Sequence, residues 1–386
     1  MNNRAIWLLE NKQLVLDWIT RREKNVFSRT DAISVDYDEV LLVVSWFSEA
    51  VQELDTNREV EHGKVLESML QELSEAALRV RHSTYGNRVF FRGLIEFTNY
   101  CKNDCYYCGI SHSQGGVHRY RLTKEQILEC CRAGERLGYH SYVLQGGEDP
   151  YFNDDRMCEI IRSIREAFPE SAITLSIGEK SETSYRRYFE AGADRYLLRH
   201  ESASDEHYAK LHPESMSLAA RKECLYVLRE IGFQVGAGFM VGTPFQSSQT
   251  LTEDLIFLSD LQPHMVGIGP FIPSAGTRFE GCSRGSVRMT LVMLALTRLI
   301  LPKALIPSTT ALGTADAEGR EKGFSFGANV VMPNLSPLDV RADYALYDDK
   351  ICISDDATTC QQCLNGRILR SGNQPDYERG DHVDFC

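Results

Sequence analysis

Hydrophobic positions change their period once along this chain. Up to about residue 85 they recur every three or four residues. Ile6, Leu8, Leu9, Leu14, Leu16 and Ile19 form one such stretch, Val40 to Val51 a second, and Leu66, Met69, Leu70, Leu73, Ala77 and Leu78 a third within 65–80. That spacing predicts helices carrying one apolar stripe each. The region holds no glycine-rich turn and no chemistry-bearing cluster, so it reads as a helical collar on a following domain. Residues 1–40 have docking of a partner as an alternative use.

From residue 88 the pattern becomes short apolar runs separated by amphipathic segments. The runs are 89–97, 141–147, 172–178, 195–201, 235–242, 265–271, 306–313 and 328–333, and the segments between them include 124–137, 157–168, 184–191, 217–231, 251–261 and 287–301. Strand and helix alternating at this spacing predict βα units on a parallel sheet. Eight runs predict a closed barrel. The competitor, a doubly wound open sheet, lacks a G-x-G-x-x-G after its first strand. The expected fold is therefore α/β: a (β/α)8 TIM-type barrel over 86–340, an N-terminal helical extension over 1–85 and an irregular, cysteine-bearing C-terminal tail over 341–386.

Composition narrows the function classes. With 386 residues, 43% hydrophobic and 25% charged, the chain is of ordinary globular make-up. A net charge of −12 gives no electrostatic footing for nucleic acid. No run approaches a membrane span, and the first residues lack a basic-then-apolar signal. Twelve cysteines without such a signal suggest reduced thiols available for metal. The expectation is a cytoplasmic protein with no nucleic-acid or membrane partner.

The chemistry sits first on the loop after run one, where Cys101, Cys105 and Cys108 are spaced C-x3-C-x2-C without a matching fourth ligand. Three thiolates on a cubane [4Fe–4S] cluster leave one iron open to bind and transform a small molecule. Zinc, with help from His112 or His118, is the alternative, but the spacing is poor for a closed zinc site. The second run ends in Gly146-Gly147-Glu148, and two glycines at a strand end let a ligand approach backbone amides and carbonyls. In the fourth run Arg199 and Glu201 lie two apart and so share a face, with Leu198 and His200 on the other. They read as a polar clamp for a charged ligand, or as an ion pair bracing the strand end. By the same parity Thr174 and Ser176 face inwards. The sixth run, from Met265, leaves a glycine face open to a flat ring. Thr309 and Thr310 are rim candidates on the seventh run, and Tyr344 and Tyr347 could cover the mouth. Cys352, Cys360 and Cys363, spaced C-x7-C-x2-C, suggest a second cluster, a zinc site being the alternative. Cys130, Cys131, Cys158, Cys224 and Cys282 read as ordinary thiols.

The cysteine loop with Gly146-Gly147-Glu148 behind it resembles the radical S-adenosylmethionine (SAM) superfamily. The blocks 144–151, 191–201, 265–273 and 327–334 resemble the HydE family within it, the radical SAM maturases of [FeFe]-hydrogenase, and the resemblance covers roughly 45–372. It implies that Cys101, Cys105 and Cys108 hold the [4Fe–4S] cluster and that SAM chelates the open iron. It also implies that Ser176, Glu201 and Arg221 contact SAM, with Gly146 and Gly147 cradling its amine. The Arg221 alignment needs a one-residue shift after Pro213. Arg199, Met265, Thr309, Thr310, Tyr344 and Tyr347 match residues lining the family's cavity. Cys352, Cys360 and Cys363 match the second cluster of some members, [2Fe–2S] or [4Fe–4S]. The implied chemistry is reductive cleavage of SAM to a 5′-deoxyadenosyl radical, fed by a low-potential electron donor. The implied substrate is a cysteine-bound iron carbonyl–cyanide complex, and the implied partners are a tyrosine-cleaving radical SAM maturase and a scaffold GTPase. Methylornithine synthase or biotin synthase chemistry is the nearer alternative; a non-catalytic iron–sulfur scaffold is the more distant one.

Overall fold

The computed structural model describes residues 3–28, 35–56 and 63–385; Cys386 lies outside them. The first stave of the barrel is one strand bent at Arg92 into β1 (Arg88–Phe91) and β2 (Gly93–Thr98). β3 (Ser141–Gly146), β4 (Ala172–Ser176), β5 (Arg195–Leu197), β6 (Gln234–Val241) and β7 (Met265–Pro270) follow β2 in one parallel sheet in chain order. Closure is made by single bridges rather than long ladders. Leu305 bridges Met265, Pro307 bridges Val330 in β8 (Val330–Val331), and Leu94 bridges Asn334. Phe90 and Phe91 pair with Val330 and Val331, so β8 keeps one register with the whole first stave. Eight staves therefore close as expected.

Two runs depart from expectation. Over 306–313 there is no strand: Thr309 caps the short helix Thr310–Ala315, its hydroxyl accepting from Leu312 N at 3.2 Å. The fourth run stays in its ladder only to Leu197, which faces Gly236, and rejoins where Glu201 bridges Phe239. The segment thus carries one residue more than its partner, and Glu201 absorbs the bulge at φ +65°.

The parity argument holds in the wall. Register sets Glu96, Gln145 and Ser176 side by side on the inner face, while Ile95, Leu144 and Leu175 are wholly buried under the outer helices. Those helices begin as their sequences prescribe. Thr123 and Gln126 form a capping box before Lys124–Arg136, and Asn153, Ser181 and Ser217 cap the next helices.

The collar consists of helices Asn3–Ser28, Tyr37–Thr56 and Gly63–Tyr85, packed over Ser248–Leu261 and Val287–Ile300. That cover explains why Val287–Ile300 is buried from Met289 to Ile300 on every face. The apolar stripe of the first helix is Leu8, Val15, Trp18 and Ile19; Ile6, Leu9 and Leu14 from the expected stripe face solvent. The tail is not irregular. It forms the helix Ala357–Arg370 and a strand, β9 (Gln374–Asp376), parallel to β1. It then closes the barrel floor, where Asp381 meets the fully buried Arg195 at 2.6 Å and Gln234 at 2.7 Å.

Candidate active site

The cysteine loop leaves β2 at the C-terminal end of the barrel, the end at which (β/α)8 proteins place their chemistry. Its shape is held by backbone contacts: Cys108 N to Cys105 O at 3.2 Å, Lys102 N to Glu148 O at 3.0 Å and Gly109 N to Leu346 O at 3.0 Å. Gly147 is required here, because a Cβ on it would lie 2.3 Å from Tyr100 O and 2.7 Å from Cys101 Cβ. Gly146 sits likewise against Thr98 Cγ2, at 2.7 Å. Asp149, 4% exposed, locks the strand end to the loop by accepting from Arg121 through both oxygens and from Thr98 Oγ1 at 2.8 Å.

Burial pushes the Cys101 thiol up and the Cys105 thiol well up, and raises Cys108 to about 12. The metal-free thiols are therefore protonated, and a metal must displace their protons on binding. Among the described residues no three His, Cys, Asp or Glu side chains converge as on a single ion, and His118 turns outward to Asp343 at 2.8 Å. A closed zinc site needs that convergence, whereas a cluster offers each thiolate its own iron.

Facing the loop is the expected clamp. Arg199 and Glu201 approach to 3.2 Å, but out of line, so Arg199 Nε and Nη2 and Glu201 Oε2 make no hydrogen bond within the protein. Thr174 Oγ1, on the inner face of β4, is also without one. Buried polar atoms are rarely left so, and this set forms a polar cradle aimed at a ligand. Ser176 lies half-buried in the same row as Gln145. Arg221 is buried and reaches the cradle from helix Leu218–Ile231, meeting Glu179 Oε1 at 2.8 Å and donating to Arg199 O and Tyr208 OH at 3.4 Å. His200 points away, as parity required, into a pocket of Phe239 and Phe257 with Asp254 at 3.2 Å.

The remaining expected residues divide by depth. Met265 lies low in the barrel, its sulfur accepting from Arg92 Nη1 at 2.8 Å. Of the glycine face above it, Gly269 is crowded, a Cβ there lying 2.9 Å from Thr309 Oγ1, whereas Gly267 has room for one, with Arg199 Cδ and Ala237 O at 3.9 Å. Thr310 accepts from Arg320 Nη2 at 3.4 Å. Tyr344 is buried at the mouth with its hydroxyl accepting from Gln145 Nε2 at 3.3 Å, and Tyr347 stands half-buried beside Thr314. In the tail, the neighbouring Cys360 and then Arg320, whose Nη2 lies 3.7 Å from the sulfur, draw the Cys352 thiol down. Cys363 sits one turn beyond Cys360 on Ala357–Arg370 and is exposed.

Sequence reasoning passed over several groups. Glu96, 1% exposed, accepts from Lys350 Nζ at 2.6 Å and Asn334 Nδ2 at 2.7 Å inside the barrel. A carboxylate at inward parity in the run Leu94-Ile-Glu-Phe-Thr98 was the available signal. The half-buried Tyr107 joins the buried Tyr208 and His212 in an aromatic group behind Arg221: Tyr107 OH meets His212 Nε2 at 3.1 Å, and Tyr208 stacks on His212 at 3.9 Å. Nothing in their spacing announced this.

Comparison with known proteins matches residues 95–258 to the radical SAM superfamily. The chain is 42% identical over 308 residues to the [FeFe] hydrogenase maturase subunit HydE of Thermotoga maritima, covering 80% of this chain and 88% of that protein. It is 32% identical over 283 residues to 3-methylornithine synthase of Methanosarcina acetivorans, covering 72% of this chain and 79% of that protein. Among solved structures, methylornithine synthase (PylB) superposes with a TM-score of 0.75 at 26% identity, over 92% of this chain and 97% of that one. HydG, a maturase of the [FeFe]-hydrogenase, superposes with a TM-score of 0.74 at 19% identity, over 98% of this chain and 80% of that one, a likeness of fold. No helix among the described residues is long and apolar enough to cross a membrane.

Proposed function

We propose, on the premise that the chain belongs to the radical SAM superfamily and within it to the family of the [FeFe]-hydrogenase maturase subunit HydE, that it is a maturase acting on a cysteine-bound iron carbonyl–cyanide complex during assembly of the hydrogenase diiron subcluster. The observation that carries this reading is the cradle of Arg199, Glu201 and Thr174, four of whose buried polar atoms make no hydrogen bond within the protein, facing a three-cysteine loop at the barrel mouth. A carrier or scaffold that merely holds a cluster has no use for such a cradle.

Cys101, Cys105 and Cys108 would hold a [4Fe–4S] cluster with one iron left for SAM. When bound, the cluster and SAM supply one-electron cleavage of the SAM C5′–S bond to methionine and a 5′-deoxyadenosyl radical. The chain's own residues bind and orient. Gly146 and Gly147 present backbone to the methionine amine, and Ser176, Glu201 and Arg221 hold the rest of SAM. Arg199, Met265, Thr309, Thr310, Tyr344 and Tyr347 line the space beneath and above it for the substrate. Parallel strands packed under helices, a floor closed by the tail and a mouth covered by Tyr344 keep water from a reactive carbon centre. Cys352, Cys360 and Cys363 would hold a second cluster of two or four irons; support comes from the Cys352–Cys360 contact and the one-turn offset of Cys363. A low-potential electron donor, a tyrosine-cleaving radical SAM maturase as supplier and a scaffold GTPase as recipient are the partners this reading entails.

A mutase of the methylornithine type is the second reading, supported by 32% identity to 3-methylornithine synthase. One anaerobic experiment separates them. The protein is reconstituted with iron and sulfide, reduced, given SAM with or without the synthetic cysteine–iron carbonyl–cyanide complex, and its nucleoside products are analysed. Turnover dependent on the complex, or an adenosyl group carried on sulfur, is expected. SAM cleavage indifferent to the complex would return the substrate to mutase chemistry, and no cleavage would remove the radical SAM reading.

A further inference from the structure

Phe245 is the most exposed large apolar side chain among the described residues, at 62%, and it also has a left-handed backbone, φ +67°. Either property alone is ordinary for a loop; together they oppose both solvation and conformational preference. The turn around it is well anchored. Gln246 N donates to Thr243 O at 3.2 Å, Gln246 Nε2 donates to Met240 O at 2.8 Å, and Pro244 O and Thr243 Oγ1 both meet His207 Nε2 at 3.1 Å. Pro244 in the second position and a left-handed third residue follow the pattern of a type II turn, whose third position favours glycine or asparagine. A bulky residue with positive φ is a genuine outlier, and such strain persists mainly where function holds it.

The surroundings say what the ring serves. Phe245 packs edge-on to Phe279 at 6.3 Å, and Phe279 packs edge-on to Tyr106 at 6.5 Å. Tyr106 is the residue after Cys105, so two ring contacts join this knob to the cysteine loop. Cations cover the same rings: Lys210 Nζ lies 5.4 Å over Phe245 and Arg278 3.5 Å over Tyr106. Lys210 also meets Glu206 at 2.6 Å, whereas Arg278 has no carboxylate at ion-pair distance among the described residues. In a chain of net charge −12, an aromatic knob flanked by cations is complementary to an acidic protein with an apolar centre.

We infer that the Phe245–Phe279–Tyr106 face, with Lys210 and Arg278, is the docking surface for an acidic one-electron carrier protein that reduces the cluster. This rests on the reading of Cys101, Cys105 and Cys108 given above. One electron leaves the carrier, which is oxidised, and reduces the cluster; no bond, proton or leaving group moves. Small electron-transfer encounters bury little area and depend on a few anchors, which suits a single projecting ring.

The test uses the full chain and a flavodoxin as probe, its binding followed by flavin fluorescence anisotropy at low salt. Phe245→Gly should weaken binding about tenfold, the loss typical of an aromatic anchor, while the melting temperature holds or rises because glycine suits the turn. Arg278→Glu should weaken binding to a similar degree and flatten its salt dependence. In reconstituted enzyme Phe245→Gly should slow SAM cleavage driven by sub-saturating reduced flavodoxin and leave dithionite-driven cleavage unchanged. Binding by Phe245→Gly within twofold of wild type overturns the proposal. So does a fall of several degrees in melting temperature, which would make Phe245 a packing residue. So does light scattering that shows a wild-type dimer and a Phe245→Gly monomer, which would make the face a self-contact. If wild type fails to cleave SAM with dithionite, the active-site reading fails, and the anisotropy still decides the surface.

Discussion

Lys350→Met should loosen the mouth of the barrel without unfolding its wall. Lys350 extends from the segment that follows Tyr344 and Tyr347 and places Nζ 2.6 Å from Glu96 Oε1 and 2.8 Å from Tyr344 O. Its side chain is 11% exposed and that of Glu96 2%. Removing one partner of a buried pair typically costs about 3–5 kcal/mol because the other charge stays buried and unmet. Glu96 would keep the amide of Asn334 at 2.7 Å, so the cost falls to the bottom edge of that range or just below it, about 2–3 kcal/mol. The change should appear locally, as faster amide hydrogen exchange across 341–351 by about 30- to 150-fold, one factor of ten per 1.4 kcal/mol. Exchange in β3 and β4 should be unaffected. Glu96→Gln removes the same attraction but leaves the ammonium with the Tyr344 carbonyl and, at 5.1 Å, its ring, so it should cost less, about 1–2 kcal/mol. The double variant should fall short of the sum by about 2 kcal/mol, the signature of a direct contact. Unchanged exchange over 341–351 in Lys350→Met, or strict additivity in the cycle, would refute the claim that this pair clasps the mouth.

Cys105→Ala should abolish SAM cleavage in reconstituted protein, because the cluster loses a ligand, whereas Cys360→Ala should leave most of it; product analysis for 5′-deoxyadenosine decides, and full cleavage by Cys105→Ala would sink the cluster assignment. Gly147→Ala drives a methyl into Tyr100 O and Cys101, both fixed by the loop, and should cut the iron retained after reconstitution at least by half; wild-type iron content would mean the loop yields freely. The His212 ring, buried and near Arg221, is held neutral with its pKa lowered to about 3. Below about pH 6.5 the unfolded chain takes up a proton that folded His212 refuses, so stability falls with acid from there to about pH 3, by about 2 kcal/mol at pH 5. Urea unfolding at pH 7 and pH 5 should show that loss in wild type and a loss about 2 kcal/mol smaller in His212→Gln; equal losses would mean His212 titrates normally.

Much of this site was legible because its logic is local. Period-two alternation put Thr174, Ser176, Arg199 and Glu201 on the inner face, and the structure keeps them there even though a bulge intervenes before Glu201. The cysteine loop and the glycines behind it are neighbours on adjacent staves, so chain order already implied their contact. What stayed hidden depends on closure. The seventh run reads as a strand, yet Leu305 and Pro307 meet their neighbours by single bridges, since Thr309 turns the chain into a helix two residues later. Polar residues were passed over where their partner lies far along the chain. Glu96 waits for Lys350, and Arg195 for Asp381. Each is an uncompensated charge until the tail arrives, so no window around either residue can tell a buried ion pair from a free ligand group. The same physics separates Arg195 from Arg199. Both are arginines at inward parity on one stave, but the floor arginine has Nη1 and Nη2 met by Ser141 and Asp381 and only Nε without a hydrogen bond, while the mouth arginine has both Nε and Nη2 without one, Nη2 only approaching Glu201 at 3.2 Å. It is that difference in satisfaction, which only the closed barrel reveals, that marks Arg199 rather than Arg195 as a residue waiting for a ligand.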